Sequence, residues 1–144
     1  MRSFFQVSGR CHYGLIFVSY LAEKWQTGQT ASLSEVTSVA NIPQGYLEEI
    51  AGLLRKAGIV RAKRGARGGY FLAKKPEHVS VVEIVEAIEG PIALVGCMSK
   101  GACTVDKIYG TKCNSRWIWQ RVQNSLVGEM RNLTLKDVLT KNNV

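Results

Sequence analysis

Three of the chain's four cysteines fall inside the segment "GCMSKGACTVDKIYGTKC", residues 96–113, spaced Cys97-x5-Cys103-x9-Cys113. The segment is rich in glycine and lysine and too polar for a core, so packing does not explain the thiols. Thiolates can ligate zinc, hold an iron–sulfur cluster or switch by reversible oxidation. Zinc ribbons and knuckles use close pairs such as C-x2-C, and no such pair occurs here. Iron–sulfur clusters accept looser spacings. Three thiolates leave one ligand to find, and the adjacent Cys11 and His12 near the N-terminus are the candidates. The ordinary alternatives are a cap or surface histidine for His12 and a small helix-start residue near the core for Cys11.

The second chemical signal is charge. Nineteen Lys and Arg against eleven Asp and Glu give a net +8. The surplus is concentrated. Residues 1–79 hold eleven basic and five acidic residues, and eight of the basic ones lie between Arg55 and Lys75. A surplus placed like this suits a polyanion, with nucleic acid first. No run approaches the ~20 apolar residues of a membrane span, and the N-terminal stretch has no signal-peptide cleavage pattern. A cytoplasmic protein is expected, and thiols there are normally reduced.

These residues must be positioned by something. Tyr13, Ile16, Phe17, Tyr20, Leu21 and Trp25 recur at helical spacing and form one apolar stripe, ended near Gly28. "SLSE", from Ser32, is a capping-box pattern opening a second helix with Leu33, Val36 and Ala40 inward. After the break at Asn41 and Ile42, Pro43 suits the first position of a third helix. Leu47, Ile50, Ala51 and Leu54 supply its stripe. Two helices joined by so short a break bury both stripes only by crossing steeply, which is a helix-turn-helix. "IVRAK" and "YFLA" are short strand candidates around a glycine-rich turn. A hairpin after a helix-turn-helix is a wing, so residues 12–75 read as a winged helix. "SVVE", from Ser80, opens another helix striped by Val81, Ile84, Val85 and Ile88 and ended by Gly90–Pro91. A longer helix follows from about Ser115 to Arg131, with Trp119, Val122, Leu126 and Met130 on one side. "TLKD" caps a short last helix. The fold class is therefore mainly α with a small β-hairpin wing. Residues 1–78 form a winged helix DNA-binding unit, and 79–144 form a cysteine-containing sensor segment with dimerisation helices. The apolar side of the long helix exceeds what so small a unit can cover, and a two-fold homodimer is its simplest cover.

In a helix-turn-helix the first residues of the second helix face base edges in the major groove. Here they are Gln44, Gly45, Tyr46 and Glu48. Gln44 can address adenine, and Glu48 can accept from cytosine N4. Gly45 lets the backbone come close, and Tyr46 is either packing or a phosphate contact. The turn "KRGARGGY" sets Lys63, Arg64 and Arg67 at a tip of little bulk, suited to a narrow minor groove. The ordinary alternatives are solvated helix residues and a solvated loop.

The order of "YLE", "LRKAGIV", "RGARGGYFLAKKPE", "IVEAIEGP", three cysteines and "TLKDVL" resembles the Rrf family of bacterial transcriptional regulators over nearly the whole chain. The family includes an iron–sulfur cluster assembly regulator and a nitric-oxide-sensitive repressor. The resemblance implies a homodimeric winged helix with a long C-terminal dimerisation helix. It also implies a cluster, of two-iron or four-iron type, on Cys97, Cys103 and Cys113. The assembly regulator takes its fourth ligand from a histidine three residues after the third cysteine, where this chain has Arg116. In the nitric-oxide-sensitive members an acidic residue of the other subunit serves, just before a "YGL"-like helix start. His12 of "CHYGL" holds that position. Some members carry no cluster and bind a metabolic enzyme.

The combined reading is a homodimeric regulator that binds a palindromic operator in double-stranded DNA. It senses redox state, nitric oxide or iron through a cysteine-ligated cluster. The alternatives are a thiol switch, control by docking a metabolic enzyme, a zinc site, or inert cysteines. No C-x-x-C, P-loop, dinucleotide-binding glycine motif or Ser/His/Asp arrangement is visible, so an enzyme is not expected.

Overall fold

A computed structural model describes residues 5–99 and 113–141. Its elements run α1 (Gly9–Trp25), α2 (Leu33–Ala40), α3 (Gln44–Lys56), β1 (Val60–Lys63), β2 (Gly69–Leu72), a 3₁₀ turn (Pro76–His78), α4 (Val81–Glu89), α5 (Gly96–Ser99), α6 (Asn114–Asn132) and α7 (Leu135–Lys141). The expected architecture, mainly helical with one hairpin wing, is the one observed.

Local chemistry explains most boundaries. Ser8 caps α1 by accepting the Cys11 N–H at 3.0 Å. Ser32 caps α2 by accepting the Glu35 N–H at 3.0 Å. The expected reciprocal half of that second box is replaced. Glu35 instead takes the Tyr20 hydroxyl at 2.5 Å and the Lys24 ammonium at 3.0 Å. The Tyr20 hydrogen bond, then that of Lys24, holds the Glu35 carboxyl below its ordinary range. Asn41 ends α2 in the left-handed region at φ 53°, and Ile42 between the helices is only 1% exposed. Pro43 stands one residue earlier than expected, as the cap of α3.

α1 runs through the middle of the core and packs on α2, α3, α4, α7 and β2. Phe17, Val18 and Leu21 are fully buried with Leu47, Ile50, Leu54, Leu72 and Ile84. The stripe of α1 runs out at its end, where Trp25 is 39% exposed instead of covered. α4 also departs from a single stripe. Val82, Ile84 and Ile88 are buried, with Val81 and Val85 half-buried. The reason is that α4 packs on α1 and α3 and also on α6.

β1 and β2 pair antiparallel with Val60 opposite Leu72 and Lys63 opposite Gly69. Ala31 adds to the β2 edge, exchanging N–H···O bonds with Tyr70 at 2.9 and 2.7 Å. At the far end the chain returns to the core. The Val81 N–H donates to Leu133 O and the Leu135 N–H to Val79 O, at 2.9 and 3.0 Å, placing Leu135 fully inside. No helix among the described residues is long and apolar enough to cross a membrane.

The α4 start carries a complete capping box between Ser80 and Glu83. Burial works against the Glu83 carboxylate, but hydrogen bonds from the Ser80 N–H, the Ser80 hydroxyl and Lys74 outweigh it. The carboxyl is held below its ordinary 4.5. A depressed carboxylate contributes stability that is complete above the unfolded value and is lost as pH falls through the folded one. Ser80→Ala should lower unfolding free energy by about 1 kcal/mol near neutral pH. Glu83→Gln should lower it near neutral pH and by progressively less as the buffer is taken below the ordinary carboxyl range. Urea titrations across that range check both.

Candidate nucleic-acid interface and thiol site

The first turn of α3 stands clear of the core. Gln44, Gly45, Tyr46 and Glu48 are exposed, while Leu47 between them is fully buried. The buried residue anchors the turn and the exposed ones face outward, as helical spacing requires. The Gln44 side-chain N–H donates to Glu48 Oε1 at 3.0 Å, so the two candidate readers are paired along the helix. A side-chain atom added at Gly45 would meet nothing within 4 Å, so the glycine keeps an open approach to the backbone. Tyr46 has both of its expected aspects. It is 48% exposed and makes an edge-to-face contact with Tyr13 at 6.0 Å between centroids.

One contact not anticipated from sequence fixes this helix from outside. Arg10 Nη1 pairs with Glu49 at 2.5 Å, tying the start of α1 to α3. Glu49 is thereby paired although exposed, and Glu48 remains as the acidic group of this turn without a cationic partner among the described residues. Sequence spacing cannot find this pair, because its members lie 39 residues apart.

Lys63, Arg64 and Arg67 are exposed at the wing, and among the described residues none of them is paired with a carboxylate. Lys74 differs. It pairs with Glu83 at 3.2 Å and so serves the α4 cap. The tip is held rather than loose. Thr30 Oγ1 donates to Arg67 O and Gly68 O at 3.2 and 3.1 Å. The adjoining Gly69 has φ 145°, and a Cβ there would stand 2.7 Å from Ala31 O. Only glycine allows the hairpin to lie this close to the α1–α2 connection.

The thiols divide into two environments. Cys11 is 6% exposed. Burial, then the neighbouring Glu89 charge, pushes its thiol up. That is the behaviour of a packed thiol, and it sets Cys11 apart from the other candidate ligands. Cys97 lies half-exposed on α5, and Cys113 is half-exposed at the cap of α6. Cys113 Sγ accepts the Arg116 N–H at 3.5 Å. Cys103 lies outside the described residues. Among the described residues no three His, Cys, Asp or Glu side chains converge on one point. His12 is exposed on α1 with its ring 6.0 Å from that of Tyr13. It lines an outer groove with Ile16, Tyr20 and Val138 rather than facing Cys97 or Cys113.

The chain leading into the cysteine segment is tied to both sides of the molecule. Ser8, the cap of α1, donates its hydroxyl to Glu89 at the end of α4. The Leu94 N–H donates to Gln123 Oε1 of α6 at 3.0 Å. Along α6, Trp117, Ile118, Val122 and Leu126 are 64, 51, 44 and 39% exposed. Val122, Leu126 and Met130 join Phe5, Val7 and Leu94 around an apolar cavity of about 380 Å³.

Comparison with known proteins places this arrangement. Residues 7–141 match the Rrf2 family model, described as an iron-dependent transcriptional regulator. The chain is 30% identical over 133 residues to the HTH-type transcriptional regulator CymR of Bacillus subtilis, covering 92% of this chain and 88% of that protein. It is 37% identical over 117 residues to an rrf2-like HTH-type regulator of Rhodobacter capsulatus, covering 80% and 78%. The solved structure of CymR, the global cysteine regulator of B. subtilis, superposes with a TM-score of 0.79 at 28% identity, covering 96% of this chain and 98% of that one. IscR of T. potens superposes with a TM-score of 0.78 at 27% identity, covering 96% and 89%.

Proposed function

This chain belongs to the Rrf2 family of transcriptional regulators, and from that premise we propose that it is a cytoplasmic homodimer that reads a palindromic operator and changes its hold on DNA through its cysteine segment. The observation that carries the DNA reading is the outward first turn of α3 together with a wing tip whose cations have no carboxylate partner among the described residues. Gln44 and Glu48 address base edges in the major groove, and Gly45 admits the backbone. Tyr46 supports the turn through Tyr13. Lys63, Arg64 and Arg67 enter the minor groove or hold phosphates. On DNA the Gln44–Glu48 bond is exchanged for contacts to bases.

The exposed α6 stripe supports the dimer. Full burial of a large apolar side chain contributes roughly 1.5–3 kcal/mol relative to exposure, and several side chains on this face remain partly in water.

The donor set supports an iron–sulfur cluster on Cys97, Cys103 and Cys113. Cys97 and Cys113 are half-exposed and on α5 and the cap of α6, and the Cys113 sulfur already accepts a backbone N–H, as cluster-bearing sulfurs do. His12 of a second copy is the proposed fourth ligand. A bound cluster supplies sensitivity to redox state, nitric oxide or iron. The chain's own residues carry the response. Glu89 and Ser8 connect the segment's start to α1, Arg10 and Tyr13 connect α1 to α3, and Gln123 connects the segment to α6. Resemblance to the cysteine regulator supports the alternative, a cluster-free switch working by thiol oxidation or by docking a metabolic enzyme through the same connections.

Three measurements test this reading. In operator titrations Arg64→Ala should weaken all sequences alike and reduce the slope of log K against log salt by about 0.9. Glu48→Ala should instead relax discrimination at one symmetric position by about 1–3 kcal/mol. An unchanged slope, or a uniform effect of Glu48→Ala, would remove the corresponding contact. Leu126→Glu should give a monomer by light scattering with weak operator binding, since the linked second half-site is lost. Anaerobically purified protein should carry iron and sulfide, and each of Cys97→Ala, Cys103→Ala and Cys113→Ala should lose them. Iron-free wild type that still binds DNA selects the thiol or docking switch.

A further inference from the structure

Between the end of α1, the connection at residues 28–30 and the wing lies a cleft whose apolar interior the DNA reading does not use. Its inner part, about 370 Å³, has an apolar floor of Leu21, Trp25, Phe71 and Leu72. Its outer part, about 630 Å³, has a cationic rim of Lys24, Lys63 and Arg67. Lys63 and residues 28–30 line both parts. The walls are fixed by the Thr30 bonds to Arg67 O and Gly68 O and by the Ala31–Tyr70 pairing. Lys24 is occupied by Glu35 at 3.0 Å, whereas Lys63 and Arg67 have no carboxylate partner among the described residues.

We propose that this cleft binds a small aromatic carboxylate, with its ring on Trp25 and Phe71 and its carboxylate between Lys63 and Arg67. The chemistry of both parts selects this class. A bare phosphate would satisfy the rim and leave the apolar floor wet. A neutral apolar molecule would cover the floor and leave two cations unpaired in front of it. A volume of this size is that of an ordinary small-molecule site, and the exposed Trp25 face is the stacking surface an aromatic ligand needs. Lys63 and Arg67 are also the cations that the proposed DNA reading gives to the operator. The carboxylate and DNA therefore compete, and each weakens the other by the same factor. That second consequence rests on the DNA reading, whereas the site itself does not.

The test uses the full chain, isotope-labelled, with 2-naphthoate as probe and no DNA. Saturable NMR shifts are expected at the Trp25 indole N–H and at the Gln29 and Thr30 amides. The neutral 2-naphthamide should bind about fivefold more weakly, and Lys63→Gln should abolish that preference. Trp25→Ala should weaken 2-naphthoate about tenfold while the remaining spectrum and the operator affinity stay as in the wild type. Inorganic phosphate giving the same shifts at the same concentration would reduce the cleft to a general anion site and overturn the proposal. So would shifts confined to α6, or equal affinity for the amide. Cleft binding that leaves operator affinity unchanged would uphold the site and remove Lys63 and Arg67 from the DNA contact.

Discussion

Gly14 marks a close three-helix seam on which the arrangement of the core depends. A Cβ at this position would sit 2.1 Å from Ile88 Cδ1 of α4 and 3.4 Å from Ile50 Cγ2 of α3. Three helices thus meet where one residue has no side chain. α3 carries the outward-facing turn, α4 leads into the cysteine segment, and α1 lies between them. A larger residue would press first on the Ile88 tip, so that side chain would have to turn away from the seam that the proposed response runs through. Close-packed interiors do not absorb such a change smoothly, so a small displacement at one end is passed on as a shift of whole elements.

Around that seam the polar contacts are few and placed at element ends. Ser8 joins the cap of α1 to Glu89, Arg10 joins α1 to Glu49, and Lys74 joins the wing's exit to the α4 cap. These side chains are largely exposed, and each exposed pair contributes only about 0–1 kcal/mol. Their importance is geometric. They orient α3 and the wing relative to α1 and α4, while the apolar core supplies the stability. They also sort the charges. Acidic partners absorb Arg10, Lys24 and Lys74, and the cations left without one among the described residues include Lys63, Arg64 and Arg67 at the wing. Part of the surplus is thereby left exposed at the wing tip.

That exposure gives the wing two possible companions. A long polyanion can cross its tip, and a small anion can enter the cleft behind it, because the same two side chains stand between. The α6 face belongs to a different class of surface, with Trp117, Ile118, Val122 and Leu126 partly exposed along it, and an apolar face suits a second copy of the chain better than a charged ligand.

The sequence alone determined the longer helices, the hairpin and their order, but not α5 or the 3₁₀ turn. Capping serines, stripes at helical spacing and a glycine-rich hairpin are local signals, and Ser32 and Ser80 cap as their sequence contexts demand, whereas the Ser8 cap of α1 came from the structure. The sequence also identified the outward turn of α3 and the wing tip, because exposure there follows from the same periodicity that buries Leu47. The three thiols were equally legible as residues, but not as a site. Spacing alone does not make three thiols a site, and Cys103 lies outside the described residues. Only the tertiary structure decided that Cys11 is a packed thiol, that Glu49 is taken by Arg10, that Lys74 serves a helix cap, and that Trp25 leaves the core to floor a cleft. Each depends on groups far apart in the chain that meet only after the helices cross, and no local pattern encodes where a crossing brings its residues.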